Sequence, residues 1–207
     1  MGLYKAFVNQ TRKPDGLLGT MMVSGMNVGH AKVADWGLEH IGALVPKRVV
    51  DLGCGGGRNA HEMMRIYPAA HVTALDYSRV SVEKAKAYNK DMISAGRCTV
   101  LQADVSDLRL KADAFDLATA FETIYFWPGL EPCFAQVARI LRPGGVFMVC
   151  NESDGTDPAS LKYEKTIDGM KNHTVAEIEA ALRASGFSKV TSDQHPSKPW
   201  IVVLAVK

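Results

Sequence analysis

The stretch VVDLGCGGGRNA, residues 49–60, decides how this chain folds. Val49, Val50 and Leu52 form a short apolar strand that runs into glycines and then into a helical pattern. Glycine has no Cβ, so a backbone made of it turns through positive φ and passes close to a ligand. The first amides of the following helix lack intrahelical partners and point out of its start. Strand, glycine turn and helix together describe a ligand cradle centred on Gly53, Cys54 and Gly55. Dinucleotide-binding proteins use a similar turn. Two residues argue for a different ligand. Arg58 stands where the third glycine of that fingerprint, counted from Gly53, would allow close helix–strand contact. Asp51 sits just ahead of the glycines, where its carboxylate would face the ligand and repel a pyrophosphate.

Outward from this stretch, strands alternate with helices. Upstream, residues 1–28 are rich in turn residues and methionine and predict an irregular lid. A helix is expected from about Gly29 to Val45, with Val33, Ala34, Leu38, Ile41 and Val45 on one face and His30 near its start on the same side. Downstream, Ala60, Met63, Met64 and Tyr67 recur at helical spacing before Pro68. His71–Asp76 is a second strand, and Ser78 caps a helix with Val82, Ala85 and Met92 inward. Cys98–Leu101 and Phe115–Ala120 are the third and fourth strands. Phe134, Val137, Ala138 and Leu141 mark a helix, and Val146–Cys150 is the fifth strand. Thr174 and Glu177 form a capping box, and Gly186 suits the end of that helix. Phe187–Thr191 and Trp200–Val206 close the chain as an antiparallel pair.

This alternation predicts a Rossmann-like, doubly wound α/β sheet, mostly parallel and covered on both faces. Residues 1–207 make one domain, with 1–45 as its N-terminal lid and helix. Ligands in such sheets bind beyond the carboxyl ends of the strands at the switch point. That rule gathers Gly53, Asp76, Asp104 and Ala120–Glu122 around one crevice. Asp76, roughly 20 residues beyond the glycines, suits a pair of ribose hydroxyls.

Composition sets the outer bounds. The chain has 207 residues, 47% of them hydrophobic, and a net charge of +2. So weak a charge gives no footprint for nucleic acid or an anionic membrane. No apolar run approaches a membrane span. Cys54, Cys98, Cys133 and Cys150 show no paired spacing, which predicts reduced thiols and a cytoplasmic chain. The histidines show no ligand spacing with cysteine or carboxylates, so no metal site is expected.

The run from Asp51 to Gly57, DLGCGGG, resembles the signature of class I methyltransferases that use S-adenosylmethionine (SAM). LRPGGVFMV, residues 141–149, is similar to that family's turn before the fifth strand. The resemblance covers most of residues 48–207, and it implies a seven-stranded sheet whose last strand inserts antiparallel. It also implies SAM as cofactor, with Asp51, Gly53, Cys54, Gly55, Asp76 and Ala120 around it. Asp104 would meet the adenine amine, Val105 would offer its amide, and Tyr77 would close over the base. Glu122, His30 and Tyr125 are the candidates for work on the acceptor. Glu122 follows the fourth strand, where it would balance the sulfonium, orient an amine or act as base. The acceptor implied is a small molecule, methylated at O, N, S or C. A SAM-binding sensor without turnover, or a nicotinamide-dependent oxidoreductase, is the alternative on the same βαβ start.

Overall fold

The computed structural model of the chain describes residues 3–12 and 14–207. Seven strands form one sheet: β1 (Arg48–Leu52), β2 (His71–Asp76), β3 (Cys98–Gln102), β4 (Phe115–Phe121), β5 (Leu141–Asn151), β6 (Lys189–Gln194) and β7 (Ile201–Val206). Their spatial order is β3-β2-β1-β4-β5-β7-β6. The first five run parallel, and β7 lies antiparallel between β5 and β6. Strand order reverses between β1 and β4, and the crevice opens at that switch point.

The helices are α1 (Leu3–Val8), α2 (Gly16–Gly29), α3 (Ala31–Glu39), α4 (Arg58–Ile66), α5 (Arg79–Tyr88), α6 (Lys90–Ser94), α7 (Leu130–Ile140), α8 (Pro158–Thr166) and α9 (Val175–Ala184). They cover both faces of the sheet, because strands buried on both sides must be shielded twice. One core joins α7 and α9 to the sheet through Phe134, Phe147, Ile178 and Leu182. Phe134 and Phe147 meet edge to face with ring centroids 5.4 Å apart, a favoured aromatic geometry. The other core holds Val33, Met63, Met64 and Val82 from α3, α4 and α5. The expected caps are present. Ser78 accepts from the Ser81 amide, and Thr174 and Glu177 complete a capping box.

Several expectations need correction. Residues 1–28 are not irregular: α1 and α2 occupy most of the described part. The helix foreseen over Gly29–Val45 is only α3, with Gly29 ending α2 and His30 forming the joint. Val45 lies outside the helix and is exposed. The segment carrying Val82, Ala85 and Met92 breaks at Asn89 into α5 and α6. β5 begins at Leu141 rather than Val146, since the Gly144 and Lys207 amides bond to Lys207 and Gly145 carbonyls. β6 starts two residues later than foreseen, at Lys189, and Phe187 is buried just before it. α8 was not foreseen. Its Asp157 cap accepts from the Ser160 amide at 2.9 Å, and Pro158 follows at the first helical position, where a missing N–H costs nothing.

Candidate active site

The glycine turn is held from below and above. Both the Gly53 and Cys54 amides donate to the Leu75 carbonyl, at 2.8 and 2.9 Å. Gly53 has φ +76°, and a Cβ there would lie 2.2 Å from Thr123 Oγ1. The loop after β4 therefore closes directly over this residue. Gly57, in the left-handed region, caps α4. Arg58 is accommodated because its guanidinium leaves the helix–strand contact and pairs with Asp35 of α3 at 2.7 Å.

Asp76 ends β2 and is 6% exposed. Its Oδ2 accepts from the Gly55 amide at 3.0 Å and its Oδ1 from the Ser78 amide at 2.8 Å. Burial raises the carboxyl's pKa, and these amide donors pull it back down. Asp76 also lines a cavity, which puts its carboxylate within reach of a ligand's hydroxyls. Asp104 caps the short turn after β3 and accepts from the Ser106 amide and hydroxyl through Oδ1. Tyr77 reaches across to the Arg12 carbonyl, and its hydroxyl is pushed up to about 12 by burial and by Asp76.

A cavity of about 270 Å³ lies along these groups. Gly53, Cys54, Gly55, Asp76, Tyr77, Asp104 and Val105 line it, together with His30, Glu122, Phe126 and Trp127. α2 covers the turn so closely that a Cβ on Gly56 would lie 2.3 Å from Asn27 Nδ2. The covering segment is tied down on two sides. Ser78 Oγ donates to the Pro14 carbonyl at 2.8 Å, and Lys5 pairs with Asp168 at 2.8 Å.

Three candidates lie elsewhere. Asp51 does not face the cavity: it is 1% exposed, and its Oδ1 accepts from the Thr119 hydroxyl at 2.9 Å. The strand register sets Asp51 beside Thr119 of β4, which turns the carboxylate into the sheet interior. Ala120 is fully buried within β4. Tyr125 is buried behind Glu122, its hydroxyl 3.5 Å from Glu122 Oε2.

Glu122 itself has φ +55°, a conformation that costs a non-glycine residue about 1–2 kcal/mol. Strain of this kind gathers at functional sites. Burial and the neighbouring Glu152 raise its pKa well above the ordinary carboxyl value. Glu152, just past β5, donates its amide to Glu122 Oε1 and had no place in the sequence reading. The signal was its position, one residue beyond the carboxyl end of a central strand.

The Asp51 carboxyl is pushed up to about 7, chiefly by burial, with the Thr119 bond opposing and Asp76 adding. The folded chain thus keeps this proton to higher pH than the unfolded chain, whose aspartate titrates near 3.8. The stability this gives is complete below about pH 4 and is lost as pH rises toward 7. Asp51→Asn, neutral throughout, removes that slope. In urea melts the variant gains on the wild type steadily between pH 4 and pH 7; a constant difference would mean that Asp51 is ionised in the fold.

The glycine turn, Asp76 at the end of β2 and Asp104 just after β3 line one cavity and together fit an adenosyl ligand. Among the described residues, no helix is long and apolar enough to cross a membrane. A sequence profile described as a methyltransferase domain matches residues 45–194. The chain is 24% identical over 181 residues to the sterol 24-C-methyltransferase of Pneumocystis carinii, covering 80% of this chain and 47% of that protein. It is 28% identical over 180 residues to the sterol 24-C-methyltransferase ERG6A of Gibberella zeae, covering 81% of this chain and 47% of that protein. The chain thus spans about half the length of these relatives. Among solved structures, a chain from the complex of the Haloferax volcanii Trm112 methyltransferase activator with a methyltransferase superposes with a TM-score of 0.81 at 20% identity. That match covers 100% of this chain and 98% of the other. The SAM-dependent methyltransferase from Mesorhizobium loti superposes with a TM-score of 0.69 at 23% identity, covering 84% and 98%. The seven-stranded sheet, the glycine turn and the matched profile agree, and the chain belongs to the methyltransferase domain family.

Proposed function

We propose that this chain transfers the methyl group of SAM to a small-molecule acceptor held beside Glu122 in the cavity. The observation that carries the reading is the cavity itself. One covered space is lined both by nucleoside-type groups and by a strained glutamate, a histidine and two aromatic rings.

Asp76 would bind the ribose hydroxyls, while Asp104 and the Val105 amide would meet the adenine edge, with Tyr77 against its face. SAM, when bound, supplies a methyl group already activated by its positive sulfur. The protein's task is then to align a nucleophile about 3–3.5 Å from that methyl and to keep water out. Phe126 and Trp127 wall the cavity, and α2 covers it. If the acceptor must lose a proton, Glu122 is placed to take it, and its raised pKa makes it a stronger base than an exposed glutamate. The cavity, about 270 Å³, lies just below the roughly 300–1,000 Å³ usual for small-molecule sites, which favours a compact acceptor. The acidic lining favours a polar one.

Incubation with methyl-labelled SAM and a metabolite extract, followed by mass spectrometry, tests this. The expected result is a labelled small molecule and S-adenosylhomocysteine in equal amounts. SAM bound without any labelled product would make the chain a binding module, and a labelled macromolecule would overturn the acceptor class.

A further inference from the structure

Three groups distant in sequence converge beside the cavity. His30 comes from the joint of α2 and α3, Glu122 from the end of β4 and Glu152 from the end of β5. Each offers one ligand atom, and these atoms all lie within 4.8 Å of one another. His30 Nε2 is 3.7 Å from Glu152 Oε1. We propose that His30, Glu122 and Glu152 form a binding site for one divalent transition-metal cation, reversing the expectation of no metal.

The charge pattern supports a cation. Asp35 is neutralised by Arg58, whereas Glu122 takes the neutral Glu152 amide and Tyr125 hydroxyl. Among the described residues, no lysine or arginine pairs with Glu122 or Glu152. Two carboxylates thus approach each other beside one imidazole. Ligands on a common tetrahedral ion at about 2.1 Å stand about 3.4 Å apart. The His30–Glu152 distance already approaches that value, and Glu152, half exposed, has room to swing inward.

The donor set also narrows the metal. One imidazole with two carboxylates suits Zn²⁺, Mn²⁺ or Fe²⁺ better than the oxygen-seeking Mg²⁺ and Ca²⁺. Three protein ligands leave a coordination position open, the arrangement of catalytic rather than structural sites. His30 and Glu122 both line the cavity, so the open position faces the acceptor. A metal there would hold an acceptor oxygen or nitrogen and ease loss of its proton. That role rests on the methyltransferase reading, whereas the site does not.

Calorimetry of the chelator-stripped full chain with Zn²⁺ and, separately, Mn²⁺, without SAM or acceptor, tests the site alone. The expected result is one ion per chain. Glu152→Gln and His30→Ala each remove a ligand and should weaken that binding by more than the roughly 10–100-fold that loss of a group behind a ligand costs. SAM affinity of Glu152→Gln should stay within a few-fold, which shows that the variant folds. No binding at millimolar metal, or binding that both variants leave unchanged, overturns the proposal. No methyl transfer by the unaltered chain, with metal binding intact, would instead count against the methyltransferase reading alone.

Discussion

Asp76→Ala lowers SAM affinity by roughly a hundredfold or more, since two hydrogen bonds to a charged group, each worth about 1.5–3 kcal/mol, are lost. The expectation rests on what else this carboxylate holds. It is buried at the end of β2, and it ties the Gly55 amide of the turn to the Ser78 amide that opens α5. Removing it takes away the ribose partner and frees both loops. Titration calorimetry reads the effect directly, and an unchanged dissociation constant would take Asp76 out of the site. Asp76→Asn should fall between: the amide keeps one acceptor for the loops and loses the charge.

Gly53→Ala costs about 3 kcal/mol of stability. The left-handed backbone there costs a residue with a Cβ about 1–2 kcal/mol. The rest comes from overlap with Thr123, of the size seen when a packed site is overfilled, about 1–3 kcal/mol. Thr123 cannot turn away freely, because its hydroxyl accepts from Trp127 Nε1 at 3.3 Å. Gly55→Ala is the comparison. Its φ is +51°, but nothing lies within 4 Å of the added atom, so only the backbone penalty applies, about 1 kcal/mol. Equal denaturant midpoints for the two variants would show that Thr123 does not press on the turn.

Much of the fold was legible in the sequence because its signals are local. β2 was bounded correctly, the Ser78 cap and the Thr174–Glu177 box are present, and the last two strands pair antiparallel. The failures are tertiary. α2, with sequence GLLGTMMVSGMNVG, is rich in glycine and hydroxyl residues, which make poor helices in isolation. It packs on α5 and over Gly56, and such contacts rather than propensity sustain most helices. β5 starts early because Lys207 pairs with a segment that reads as a turn, a partner 62 residues or more away in sequence. In the site, the glycine turn and Asp76 were readable from spacing, and the structure brings them to one cavity with Tyr77, Asp104 and Val105. His30 and Glu122 were both named, but Glu152 beside them was not, since it depends on the parallel pairing of β4 with β5. The Thr119 hydroxyl on Asp51 was equally out of reach, since it comes from the pairing of β1 with β4.

The fastening of the first helices bears on how such a molecule would be loaded and emptied. The Lys5–Asp168 clasp joins two half-exposed side chains, and a pair of that kind is worth under about 1 kcal/mol. Breaking that clasp would leave the Ser78–Pro14 bond and the packing of α2 on α5 and Gly56 in place. If a nucleoside binds beneath, its exchange would be set by those contacts rather than by the exposed pair.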